Sequence, residues 1–213
     1  MDEEITIIDS NTRNEKIRNF FINNKRNLII SFSATVVLLV VYFSFNEIKD
    51  RNKIKLANEF NLAVIDFKIG EKNITIKKLK YIVSKKDSTY SPLALYFLLD
   101  NNLTESKDEI NSLFDKLINE TDLNKEIKNL IIYKKALYNS DNSLENELIK
   151  MLNPIINSKS IWKSHALYLL AEYFYSKDEK QKSKDFFKQI LQLTDNNQVK
   201  LDAQKRLKRD FSE

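Results

Sequence analysis

Leu167 to Leu191 reads LYLLAEYFYSKDEKQKSKDFFKQIL, and the spacing inside it decides the fold. Leu167, Leu170, Ala171 and Phe174 recur at three- and four-residue intervals, the period of one helical face. After a short polar break, Ser183, Phe187 and Ile190 repeat that interval on a second segment. Two such segments predict a pair of helices lying side by side. Ala171 is small enough to let the two approach, while Leu170 before it and Phe174 after it fill the space on either side.

Working outward, part of the pattern recurs. Leu56-Ala57-x-x-Phe60 and Leu93-Ala94-x-x-Phe97 match Leu170-Ala171-x-x-Phe174, with gaps of 37 and 77 residues. The second gap is close to twice the first, and Ile132-Tyr133-x-x-Ala136 lies midway as a degenerate copy. Tyr90, Leu93, Ala94, Phe97, Ser106, Ile110 and Leu113 keep the offsets of the last copy. A period near 38 residues in a helical chain means stacked helix pairs. The expectation is an all-α fold in which antiparallel helix pairs form an α-solenoid. A non-repeating helical bundle is the competing architecture.

Composition agrees with the helical reading. One Gly and two Pro in 213 residues are too few for the turns of a β-sandwich or for glycine-rich phosphate loops. The absence of Cys excludes disulfides, thiolate metal sites and Cys nucleophiles. The abundance of Lys, Asn, Ile, Phe and Tyr resembles an AT-rich codon bias and is discounted as functional evidence. The Asn-x-Ser/Thr matches at Asn73, Asn102 and Asn119 are discounted with it. The net charge of +5 lies entirely beyond residue 27 and is spread over helical faces, which reads as solvation and not as nucleic-acid binding.

Leu28–Phe45 holds eighteen residues without a charge, Pro or Gly, and twelve of them are Leu, Ile, Val or Phe. Those twelve supply about −4 to −7 kcal/mol toward membrane insertion. The chain therefore divides into a tail (1–27), a transmembrane helix (28–46) and a helical domain (47–213). In the tail, Thr12 and Glu15 have capping-box spacing ahead of Ile17, Phe20 and Phe21, which suggests a short amphipathic helix beside inner-membrane lipid. The exit Tyr42-Phe43-Ser44-Phe45 offers no small-x-small cleavage site, so the span reads as an uncleaved anchor. The charged flanks do not decide its orientation: Arg18, Lys25 and Arg26 stand against Lys49, Arg51, Lys53 and Lys55. Further along, Gly70 is expected to end a helix, and Ser91, Asp122, Ser143 and Ser160 to cap others.

No residue set calls for catalysis, a metal or a cofactor. His165 is the one histidine, no His/Asp/Glu cluster has ligand spacing, and the carboxylates are scattered over polar faces. Trp162, Tyr168, Tyr173 and Tyr175 could line a peptide groove or could belong to the core; both readings stand.

The offsets at Leu167, Leu170, Ala171, Phe174, Ser183, Phe187 and Ile190 resemble a tetratricopeptide repeat. The whole layout resembles the YfgM-like family, ancillary subunits of the bacterial SecYEG translocon. Some positions depart from the repeat: Ser106 and Ser183 stand where Ala is usual, Ala replaces the Gly of the first helix, and the closing Pro is missing. The resemblance implies a non-enzymatic protein of the bacterial inner membrane with a cytoplasmic N-terminus and a periplasmic domain. It would work beside Sec translocon subunits, holding client polypeptides or passing them to periplasmic chaperones. The same architecture also suits a scaffold for a cell-envelope or cell-division complex.

Overall fold

The computed structural model describes residues 2–104, 106–194 and 198–211, with side chains described from residue 13 onward. These residues form ten α-helices. They are α1 (Asp2–Asn23), α2 (Lys25–Lys68), α3 (Lys72–Ser84), α4 (Tyr90–Asp100), α5 (Lys107–Glu120), α6 (Lys125–Asn139), α7 (Glu145–Ile156), α8 (Lys163–Ser176), α9 (Lys180–Leu191) and α10 (Gln198–Asp210). The contacts divide the chain into two units, Met1–Lys55 and Leu56–Glu213.

In the first unit, α1 runs unbroken through residues 12–15, so no helix begins at Thr12 as the capping-box spacing had suggested. Asn24 interrupts the helix only briefly, and its side-chain amide donates to the Phe20 carbonyl at 3.0 Å. The apolar run is long and apolar enough to cross a membrane, with a mean hydropathy of 2.4 over eighteen residues and none of that window buried within the protein. Thr35 Oγ1 donates to the Ser31 carbonyl one turn back at 3.0 Å, which satisfies its hydroxyl without water. The helix does not stop at the end of the apolar run. It continues to Lys68, so the boundary expected at residue 47 falls inside a helix.

The second unit is built from neighbours in sequence. Each helix from α3 onward packs against the next, and α3 with α5, α6 with α8 and α8 with α10 also touch. At the start of the array, Phe97 of α4 meets Phe60 and Phe67 of α2 edge-on, at centroid distances of 6.1 and 5.3 Å. An array with contacts this local has two ends, and its buried residues form successive clusters between them.

The core repeats, in a register different from the expected one. Thr75, Leu79 and Ile82 on α3 are fully buried at offsets of zero, four and seven. So are Ile110, Phe114 and Leu117 on α5; Leu148, Leu152 and Ile155 on α7; and Ser183, Phe187 and Ile190 on α9. Twelve residues before each set stands another buried residue: Ala63, Leu98, Ala136 and Ala171. The steps along this series are 35, 38 and 35 residues.

Ala171 is therefore matched by Ala63 and Ala136, not by Ala57 and Ala94. Ala57 is half-buried, Phe60 and Phe97 are half-buried, and Leu93 is 42% exposed. Ala94 and Leu56 are buried, but Ala94 lies one turn before the matching position, which Leu98 fills. Leu170 and Phe174 are buried beside Ala171, while Ile132 and Tyr133 pack half-buried on the same core as Ala136. The physical reason for the shift is that Pro92–Leu99 is apolar in every direction, so its pattern carries no phase.

A chain with one glycine must end its helices by other means. Gly70 does so as expected, at φ +92°: its N–H donates to the Phe67 carbonyl and Glu71 N–H to the Asp66 carbonyl, at 3.1 and 2.9 Å. Asn102 and Asp178 adopt the same left-handed conformation, at φ 49° and 59°, with the same two bonds around each. Helix starts follow composition less closely. Ser91 lies inside α4, and its hydroxyl donates to the Ile82 carbonyl at 2.7 Å. The N-caps of α6, α7 and α8 are Asn124, Leu144 and Trp162, each one or two residues beyond the expected Asp122, Ser143 and Ser160.

Candidate binding groove

Three helices of the second unit surround a groove of about 550 Å³. Helix α5 contributes Asn111, Asp115 and Ile118, and α6 contributes Ile132, Lys135 and Asn139. Helix α7 contributes Glu147, Lys150, Met151 and Pro154, with Ser143 at the turn before it. Along α5 and α6 these residues sit three, four or seven apart, and along α7 the adjacent Lys150 and Met151 widen the same stripe.

The polar side is organised by paired side chains. Asn111 Nδ2 donates to Asn139 Oδ1 at 3.1 Å, and Asn139 Nδ2 returns a bond to Asn111 Oδ1 at 2.7 Å. Asn139 Nδ2 also donates to the Lys135 carbonyl at 2.8 Å. Lys135 Nζ in turn contacts Asp115 Oδ1 at 2.6 Å. Four side chains from two helices are thus held in one orientation. Pro154 has no N–H for the carbonyl of Lys150, so α7 carries an acceptor without its intrahelical donor beside the groove.

The groove lies at a change in the spacing of the chain. The recurring core positions are 35 residues apart on either side, but 38 apart between Leu98 and Ala136. The three extra residues fall between the buried set of α5 and that of α6, beside one of the two divisions of the core; the other runs through α8, between Leu170 and Ala171. Ile131 belongs to the cluster on the α5 side and Ala136 to the cluster shared with α7 and α8. Ile118 packs on the first cluster, Ile132 and Met151 on the second, so the apolar lining spans the seam.

The aromatic residues singled out in the sequence lie elsewhere. Trp162 stacks on Tyr133 at 6.2 Å with planes 16° apart, and His165 closes the group at 5.3 Å from Trp162. Burial lowers the His165 pKa from its ordinary value and raises that of Tyr133, so both favour their neutral forms. Tyr168 packs edge-on against Phe187, and burial, followed by the neighbouring Glu172, raises its pKa. Tyr175 sits against Phe211 and under the Arg206 guanidinium. Tyr173 is nearly buried, and its hydroxyl donates to the Ser143 carbonyl at 3.0 Å, which steadies the turn at the groove without lining it.

Among the described residues, no group of three or more His, Asp or Glu side chains is placed to hold a metal ion. The groove itself offers amide donors and acceptors, ammonium groups and carboxylates beside an apolar lining. That set can hold a main chain and small apolar side chains. No family model, curated protein or solved structure matches this chain.

Proposed function

We propose that this chain is a membrane-anchored, non-catalytic protein-interaction module, a tetratricopeptide-like stack of helix pairs that holds an extended segment of a partner polypeptide. The observation that carries the proposal is the fourfold recurrence of the same buried positions, interrupted once, with a groove at the interruption. Helix pairs stacked in this way present extended surfaces. The Asn111–Asn139 pair leaves one Asn111 amide N–H to donate to a peptide carbonyl, and the apolar lining beside it suits apolar side chains. The resemblance to translocon-associated proteins supports a role beside the Sec translocon at the bacterial inner membrane, with the helical domain in the periplasm. Client polypeptides or periplasmic chaperones are then the ligands.

Photo-cross-linking from Met151 in intact membranes, followed by mass spectrometry, tests this. Capture of translocon subunits, chaperones or translocating chains is the expected result, and Ile132→Asp should abolish it. Capture of division or outer-membrane assembly factors would replace the translocon role with that of an envelope scaffold. Capture insensitive to Ile132→Asp would place the interaction outside the groove.

A further inference from the structure

The polar groups around the groove are mostly paired within the protein. Asn139 bonds to Asn111 and to the Lys135 carbonyl, and Lys135 contacts Asp115. Glu147 accepts from the Leu144 N–H, and the Ser143 carbonyl accepts from the Tyr173 hydroxyl. Glu147 and Lys150 are exposed, so water serves their charged ends. The carbonyl of Lys150 is a different kind of group. It belongs to the main chain, the helix fixes its position, and Pro154 denies it a donor.

Pro154 adds nothing to the core that would account for it. It stands inside α7, where proline is costly, yet the helix runs on to Ile156. Its neighbours Leu152 and Ile155 are fully buried, whereas Pro154 is exposed and lines the groove. Its effect on the helix is the removal of one N–H. Lys150 and Pro154 lie one turn apart on the same face, so the carbonyl that has lost its partner is on the groove side. The proline ring also crowds that carbonyl and tilts it away from the helix axis, toward a donor outside the helix.

We propose that the Lys150 carbonyl accepts a main-chain N–H from the segment held in the groove. This contact rests on the reading of the groove as a polypeptide site, and it sets a rule for what binds. The ligand is an extended segment with a residue other than proline at the contact, because proline brings no N–H. Side chains are not read there, since every other residue brings the same donor. The remaining N–H of Asn111 donates to a carbonyl of the same segment. Helices α5 and α7 thus hold the main chain from either side of α6, while Ile118, Ile132 and Met151 meet its apolar side chains.

The test titrates the full-length protein in lipid nanodiscs with a fluorescent heptapeptide of alternating serine and leucine, acetylated and amidated at its ends. Alternate N–H groups of an extended chain face opposite sides, so two ester analogues are compared with this parent. One replaces N–H by oxygen at every leucine, the other at every serine. One of the two should bind about three- to tenfold more weakly than the parent. Pro154→Ala supplies the missing N–H within α7. It should bind the parent about three- to tenfold more weakly and no longer distinguish that ester from it. A damaged fold would weaken both peptides alike and leave their ratio unchanged. An unaltered chain that binds the parent and both esters equally overturns the contact and leaves water as the partner of the carbonyl. A Pro154→Ala chain that keeps full affinity, or still distinguishes the esters, overturns it as well. Ile132→Asp separates these failures from that of the groove itself. A parent peptide that does not bind, or that binds Ile132→Asp as tightly as the unaltered chain, removes the groove as a polypeptide site and the contact with it.

Discussion

Thr75 Oγ1 shares its one proton between the carbonyl of Ala63 across the first helix pair, at 3.3 Å, and the carbonyl of Glu71 one turn back, at 3.0 Å. At the equivalent place in the last pair, Ser183 faces the segment of Ala171, and its hydroxyl is buried without a hydrogen-bond partner. One repeat position thus carries a satisfied hydroxyl in one copy and an unsatisfied one in another. Thr75→Val should destabilise the fold by about 0.5–1.5 kcal/mol. Ser183→Ala should stabilise it by about 1 kcal/mol, since it removes a desolvated polar group. Urea unfolding of a fragment covering residues 47–213 measures both, and a loss of stability in Ser183→Ala would show that its hydroxyl is satisfied.

The shifted register makes its own prediction. Ala63→Leu and Ala171→Leu should each cost about 1–3 kcal/mol through overpacking. Ala57→Leu and the exposed Gln189→Leu should cost under about 0.5 kcal/mol. Equal costs at Ala57 and Ala63 in the same unfolding assay would restore the 37-residue spacing.

His165 links the fold to pH. Its folded pKa lies below the ordinary 6.5, so the unfolded chain takes up a proton first as pH falls. Its contribution is complete above the ordinary value and declines as pH drops through that value toward the lower folded one. The melting temperature should fall from about pH 7.5 to about pH 5, and His165→Phe should show a smaller fall over that range. Fluorimetric melts across the range measure the difference, and identical slopes would mean that His165 is freely solvated.

Arg206 holds α10 in place. Its Nε and Nη2 each donate to Glu172 at 2.7 Å, another nitrogen contacts Asp210, and the guanidinium lies over the Tyr175 ring. Lysine cannot reproduce that fork. Arg206→Lys should cost about 1–3 kcal/mol, between exposed and buried pairs, and should raise hydrogen exchange across α10 before the rest. Uniform exchange throughout the domain would argue against a separate tether.

The proposed orientation has a direct readout. Alkaline phosphatase fused after Glu213 should be active, and a green fluorescent protein fused there should stay dark. The reverse pair of results would put the domain in the cytoplasm.

The helical class was legible because glycine and proline are scarce and because α5 and α9 keep polar and apolar faces apart. Ile110, Phe114 and Leu117 could be read directly from their spacing, as could Phe187 and Ile190. The first helices of the pairs could not. In α4, neither Leu93 nor Leu98 is distinguished by its neighbours, yet one is exposed and the other buried. The groove left a fainter trace still. Asn111 and Asn139 are polar residues at ordinary helical spacing, and an Asn-rich composition hides two that matter. Their relation depends on how α5 meets α6, which no local pattern encodes.

Helix α6 gives Ile131 to one core cluster and Ala136 to the next, and that double membership bears on cooperativity. Two blocks that share a single helix melt together only while that helix holds both. Weakening α6 at either residue would convert one unfolding transition into two. The three extra residues between α5 and α6 would then mark the place where the domain comes apart.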